Sequence, residues 1–166
     1  MRYNKIRKMD IADGPGVRVS IFMQGCAFNC PKCFNQETHD FAGGKEFTQN
    51  TINKVLELCD NPNIEGLSIL GGEPMHPKNI EGTKELAKAF KEKYPEKNVW
   101  VWSGYTFEKD LKDKEALKYV DVLVDGQYVD ELHNPTLEWR GSSNQRVINV
   151  PESLKENKTV LRKIAQ

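Results

Sequence analysis

The chain has neither a long apolar run nor a charge excess of either sign. No segment approaches the roughly 20 apolar residues of a membrane span, and the amino-terminal stretch MRYNKIRKMD lacks the apolar core of a secretory signal. Basic and acidic residues balance at 24 each, so bulk electrostatics gives no reason to expect nucleic-acid or membrane-surface binding. There is no internal repeat, low-complexity tract or interdomain linker. Cysteine is scarce, with four among 166 residues. With no export signal, the chain is expected in the cytoplasm, where thiols stay reduced and a disulfide framework is not favoured. What remains is metal or redox chemistry. The length suits one domain over 1–166, with 129–166 a less regular C-terminal segment.

Three of the four cysteines sit together. Cys26, Cys30 and Cys33 occupy the eight residues CAFNCPKC, just past Gly25 at the end of an apolar run. Thiolates so closely spaced suit soft-ligand metals, an iron–sulfur cluster or zinc. Structural zinc sites pair two short hooks across a spacer, and here there is only one hook. A fourth zinc ligand would have to come from Cys59, His39 or His76, and Cys59 falls on the apolar face of an expected helix. Three ligands on a four-iron cluster leave one iron open to another molecule. The residues alone leave both a cluster and a zinc module on the table, with the odd ligand count favouring the cluster.

Periodicity supplies the frame. Val17–Gln24 reads as a strand feeding the cysteine loop, and Ile64–Leu70, Asn98–Trp102 and Val120–Val124 read as further strands. Helices are expected over Thr48–Asn61, with Ile52, Val55, Leu56 and Cys59 on one face, and over Ile80–Tyr94, closed by Pro95. A third is expected from about Phe107 to Leu117, with Thr106 as N-cap. Alternating strands and helices imply an α/β fold with a mostly parallel sheet. The cysteine loop, Gly71-Gly72-Glu73-Pro74, Ser103-Gly104 and Asp125-Gly126 each follow an expected strand. In a parallel sheet those carboxyl ends share one edge, where ligands bind. Trp100 and Trp102 fall on one strand face and one of them is expected in the core, while His39, His76 and His133 show no ligand spacing.

The C-x3-C-x2-C spacing together with the Gly-Gly-Glu-Pro turn resembles the radical S-adenosylmethionine superfamily. Asp13-Gly14-Pro15-Gly16-Val17-Arg18 resembles a stretch of the glycyl-radical enzyme activases within it. Phe34-Asn35, Trp100–Tyr105 and the segment Trp139–Arg146 (WRGSSNQR) are similar to one branch, the activating proteins of anaerobic (class III) ribonucleoside-triphosphate reductases. The resemblance runs from about residue 3 to residue 148.

It implies a truncated (β/α) partial barrel of the radical SAM type and two cofactors, a [4Fe-4S] cluster on Cys26, Cys30 and Cys33, and S-adenosyl-L-methionine. Reductive cleavage of the latter to a 5′-deoxyadenosyl radical would remove a hydrogen from one glycine of the reductase. A flavodoxin or ferredoxin-type protein would donate the electron. Lys32, Cys33 and Phe34 are implied on the adenine side and Gly72 and Glu73 at the methionyl group. Ser103 and Asp125 are weaker candidates for polar contacts, and no catalytic residue is implied beyond the cluster and cofactor. Two departures stand out. Lys32 replaces the aromatic common before the third cysteine, and Gln127 replaces a Lys or Arg two residues after the aspartate aligned with Asp125. Arg140 and Arg146 are the available substitute cations. The alternatives are a radical SAM activase of another glycyl-radical enzyme, a small-molecule radical SAM enzyme, and a non-catalytic iron–sulfur electron carrier or zinc module.

Overall fold

A computed structural model describes residues 1–163. Seven strands form one mixed sheet: β1 (Arg2–Asp10), β2 (Val17–Gln24), β3 (Lys45–Glu46), β4 (Ile64–Gly71), β5 (Asn98–Trp102), β6 (Val122–Asp125) and β7 (Arg146–Asn149). Their spatial order is β3-β1-β2-β4-β5-β6-β7. The centre, β2-β4-β5-β6, is parallel, whereas β1 and β3 on one flank and β7 on the other pair antiparallel. The parallel expectation therefore holds for the centre, and the flanks correct it. The carboxyl ends of the four central strands do share one edge.

Two helices, α1 (Gln49–Leu58) and α2 (Ile80–Lys93), connect β2 to β4 and β4 to β5. Val19, Ile21 and Met23 of β2, Leu67 and Ile69 of β4, and Val99 and Val101 of β5 share one core with Ile52, Val55, Leu86 and Phe90 of the helices. Burial of such side chains is the main favourable term holding the layers together. Cys59 lies within this core with no exposure, and its thiol is pushed up to about 12, chiefly by burial. On the opposite face Trp100 is buried with Val122, Val124 and Val147, while Trp102 and Trp139 pack partly exposed against them. Trp100 is thus the core member of the strand pair.

The helix expected over 107–117 is replaced by a π-turn at Phe107–Leu111 and a 3-10 turn at Glu115–Tyr119. The reason lies in the apolar spacing. Phe107 and Leu111 are four apart, but the next buried residues, Ala116 and Leu117, fall five and six further on, out of phase with one helical face. Thr106 makes no side-chain cap. Instead the Phe107 N–H donates to Asp125 Oδ2 at 2.8 Å.

Part of the segment over 129–163 is regular. It supplies β7 and a short helix, α3 (Val150–Glu156), capped by Asn149 Oδ1 accepting from the Glu152 N–H at 3.1 Å. Strand β1 carries no clear sequence signal, because its exposed outer half (Arg7, Lys8, Met9) breaks the alternation of a half-buried strand. No helix among the described residues is long and apolar enough to cross a membrane.

Candidate active site

The cysteine loop is fixed by its neighbours. At its start the Gly25 N–H donates to Thr38 O at 2.6 Å, and the Cys26 N–H to His39 O at 3.1 Å. Gln24 Nε2 donates to the carbonyls of Glu37 and Asp40 at 3.1 and 2.8 Å, closing the loop's far side. Asn29 and Lys32 adopt left-handed backbone conformations (φ 51° and 57°), which turn the chain between the cysteines.

The Gly-Gly-Glu-Pro turn is bonded to this loop directly. Gly72 and Glu73 donate their N–H groups to Met23 O (2.9 Å) and Gly25 O (2.8 Å). A Cβ on Gly72 would lie 2.5 Å from Gly25 O and 2.8 Å from Thr38 O, so only glycine permits this approach. Asn79, just before α2 and almost fully buried, holds Nδ2 within 3.0–3.4 Å of the carbonyls of Gln24, Gly25 and Glu73.

The later strand ends join through aromatic and polar contacts. Phe28 packs edge-on against Tyr105 at 4.9 Å, tying the cysteine loop to the end of β5. Phe34 lies 5.2 Å from the Tyr128 ring, tying it to the end of β6. Glu73 spans β4 and β5: Oε2 accepts from Ser103 Oγ (2.7 Å) and the Met75 N–H (2.8 Å), and Oε1 from the Gly104 N–H (2.6 Å). Burial pushes this carboxyl up to about 7, against the lowering effect of the bonds from Gly104, Ser103 and Met75.

These loops enclose a cavity of about 430 Å³, lined by all three clustered cysteines, Phe34, Gly72, Glu73 and Ser103, with Gln127, Trp139 and Arg140 from the β6–β7 connection. The Cys26 and Cys30 thiols are both pushed up, first by burial; for Cys30 the charge of neighbouring Cys33 adds to it. A metal that accepts thiolates would reverse that shift. Among the described residues no three His, Cys, Asp or Glu side chains converge as a single-ion site. The thiols instead line one wall of a roomy cavity, which suits a multi-iron cluster better than a lone zinc ion.

Residues 12–148 match the family model described as a 4Fe-4S single cluster domain. A protein of Enterobacteria phage T4 named anaerobic ribonucleoside-triphosphate reductase-activating protein is 42% identical over 147 residues, covering 89% of this chain and 93% of the relative. Proteins of the same name from Vibrio cholerae serotype O1 and Escherichia coli strain K12 are 40% and 35% identical, covering 87% and 89% of this chain and 96% and 97% of their own lengths. The chain belongs to this family.

Membership makes it a homologue of a radical SAM activating enzyme and brings two cofactors, a [4Fe-4S] cluster and S-adenosylmethionine. The donor set fits them: three thiols on one wall and a close glycine turn facing the same space. Two of the residues implied at the cofactor, Lys32 and Asp125, are not part of the cavity lining. Lys32 does not line the cavity; its ammonium reaches Asp130 at 3.5 Å from an exposed position. Asp125 is buried and also absent from the lining, since Arg146, its cross-strand partner on β7, holds it at 2.6 and 3.0 Å. Arg146 is further committed to Glu108 at 2.6 and 2.7 Å, which removes it as a substitute cation. Glu73 and Ser103 line the cavity, but each spends polar capacity on the other.

Sequence reasoning missed Gln24 and Asn79, whose roles are to stitch loops together; neither carries a motif that marks it. It also missed the pairing around the Asp-Gly-Pro-Gly stretch. Arg18 is fully buried, donating to Ser68 Oγ (2.7 Å) and to the carbonyls of Pro15 and Leu67 (both 3.1 Å). Asp13 lines the cavity with its carboxyl pushed up to about 7 by burial and then by neighbouring Asp10.

Proposed function

We propose that this chain does what the name of its relatives describes: it activates an anaerobic class III ribonucleoside-triphosphate reductase, by generating a glycyl radical on it. The observation that carries this reading is the convergence of the three-cysteine loop and the Gly-Gly-Glu-Pro turn on one cavity at the carboxyl edge of the parallel strands. The parallel centre is read as the short arc of a radical SAM partial (β/α) barrel, in one domain spanning the chain. The location is cytoplasmic, and a flavodoxin or ferredoxin-type protein supplies the electron.

Cys26, Cys30 and Cys33 would hold the [4Fe-4S] cluster. When bound, cluster and S-adenosylmethionine together supply one-electron cleavage of the sulfonium, the source of the radical that takes a glycyl hydrogen. The protein's own task is placement. A reactive radical attacks the nearest C–H, so selectivity depends on what the cavity holds in contact. Cys33 and Phe34 would line the adenine side. Phe34 offers a ring that is two-thirds exposed and held at a tilt against Tyr128, which leaves surface to stack a second ring. Gly72 would allow backbone approach to the methionyl group. Glu73 accepts three hydrogen bonds, and a carboxylate offers about four acceptor positions, leaving room for an ammonium. Ser103 would act through Glu73, holding it in place. Asp125 and Lys32 would act at one remove, on Arg146 and on Asp130.

The test is anaerobic reconstitution with iron and sulfide, followed by reductant and S-adenosylmethionine. Release of 5′-deoxyadenosine and methionine is expected from the wild type and from no variant lacking one of the three cysteines. A fully reconstituted wild type that releases neither product would overturn the reading.

A further inference from the structure

The two outer edges of the sheet are finished differently. Beyond β7, residues 160–162 run along the edge as a strap: the Asn149 N–H donates to Val160 O at 2.9 Å and the Arg162 N–H to Val147 O at 2.8 Å. At the other end β3 covers only Arg2 and Tyr3 of β1. From Lys5 to Asp10 the strand pairs with β2 on its inner side, and among the described residues its main chain has no partner on the outer side. An uncovered edge of this kind presents N–H and C=O groups to any extended chain that comes beside it.

That edge borders the cavity. Arg7 of β1, with Ala12 and Asp13 just after the strand, lines one side, and Trp139, Gly141 and Gln145, just before β7, line another. The sheet thus curls around the cavity and brings its two ends to the same space. A strand added to β1 would lie about 4.8 Å further out, extending the sheet beside the cavity. Glycyl-radical formation needs a glycine α-carbon inside. A cavity of about 430 Å³ that also takes the cofactor admits only a narrow stretch of polypeptide, so recognition of a protein substrate falls on the rim.

The side chains of the edge select its occupant. Arg2, Lys5, Arg7 and Lys8 make β1 cationic, and its one acid, Asp10, is buried and accepts from Ser20 Oγ and the Ala12 N–H. Lys5 and Arg7 stand over the Phe22 ring, which lines the cavity, at 4.8 and 5.0 Å; they reach Glu37 and Asp13 only at 3.9 and 4.0 Å. Lys8 is exposed and forms no ion pair among the described residues. A second copy of β1 laid on this edge would set cation against cation, which disfavours self-pairing. An acidic strand meets the opposite condition. Met9 and Ile11, at 72% and 76%, are the most exposed large apolar side chains among the described residues and offer apolar contact where the cations stop.

We propose that the free edge of β1, Lys5–Asp10, is where the protein substrate docks. An extended, acidic segment next to the target glycine pairs with it as an added strand and leads that glycine into the cavity past Arg7. The assignment rests on the activase reading above and adds the surface and the chemistry of the contact.

The experiment is hydrogen–deuterium exchange of the anaerobically reconstituted full chain with S-adenosylmethionine and no reductant, alone and with excess reductase. Backbone amides of residues 5–10 should exchange at least about tenfold more slowly in the complex, while those of the 160–162 strap keep their rate. A companion variant, Lys5→Glu/Lys8→Glu, reverses two surface charges. It should release 5′-deoxyadenosine without reductase within about twofold of the wild-type rate, yet need about tenfold more reductase for half-maximal glycyl radical. Unchanged exchange over 5–10, in a mixture that forms the radical once reductant is added, would overturn this assignment and leave the activase reading standing. So would a variant with the wild-type reductase requirement. Protection that grows with the concentration of this chain alone would give the edge to a second copy and also overturn it. A wild type that cleaves S-adenosylmethionine but never forms the radical on the reductase would sink the activase reading, and this assignment with it.

Discussion

Glu73 makes the site's stability depend on pH in a calculable way. The carboxyl is buried and accepts three hydrogen bonds, yet burial still raises it from 4.5 to about 7. Below pH 4.5 it is protonated in both the folded and the unfolded chain. Between 4.5 and 7 the unfolded chain releases this proton while the folded chain keeps it, so rising pH favours unfolding. Above 7 both are ionised and the loss is complete, at about 3 kcal/mol. Glu73→Gln cannot titrate. It places an amide N–H₂ against one of the existing donors, a fixed cost of about 1–3 kcal/mol at every pH. The variant should therefore be the less stable protein at pH 4.5 and gain on wild type by about 3 kcal/mol by pH 8. Urea unfolding of the cluster-free, reduced chain at several pH values, followed by tryptophan fluorescence, measures that difference. Asp13 is also raised to about 7, but it titrates in both proteins and cancels. A difference that stays flat within about 1 kcal/mol from pH 4.5 to 8 would refute the reasoning.

Three further outcomes follow from packing and charge. Gly72→Ala drives a methyl into the carbonyls of Gly25 and Thr38, so it should cost about 1–3 kcal/mol in urea unfolding and lower cluster occupancy after reconstitution, whereas unchanged occupancy would mean the two loops separate freely. Arg146→Met strands the buried Asp125 carboxylate and should destabilise by about 3 kcal/mol, with Asp125→Asn in the same chain recovering part of it; full stability of the single variant would show the pair to be idle. Cys59→Ser should keep the iron content of wild type while losing about 1–3 kcal/mol for a buried hydroxyl, and loss of iron would place Cys59 at the metal centre.

The parts of this molecule that read clearly from sequence were those whose signal is local. Val17–Gln24 and Ile64–Leu70 are rich in β-branched and aliphatic residues, and Ile52, Val55 and Cys59 repeat at helical spacing, so strands and helices of the centre could be placed. The cysteine loop and Gly-Gly-Glu-Pro are contiguous, and the topology brings them together. What stayed hidden depends on long-range pairing. Asp125 looks in sequence like a polar strand end, but β7 sets Arg146 opposite it and the guanidinium takes both carboxylate oxygens. The antiparallel flanks escaped for the same reason, since neither β1 nor β7 shows a clean alternation. Lys32 fell on the right loop, but its left-handed backbone turns the side chain toward Asp130. That Arg146 is not a free cation shows only in its pairing with Asp125 and Glu108, which no local motif marks.

The central claim is that the chain makes a glycyl radical on a reductase. The most direct measurement mixes the reconstituted chain, reductant and S-adenosylmethionine with an anaerobic ribonucleoside-triphosphate reductase and records the electron paramagnetic resonance spectrum. The account predicts a glycyl-radical doublet that depends on each of Cys26, Cys30 and Cys33. A protein that releases 5′-deoxyadenosine under these conditions yet leaves the reductase without a radical would contradict it.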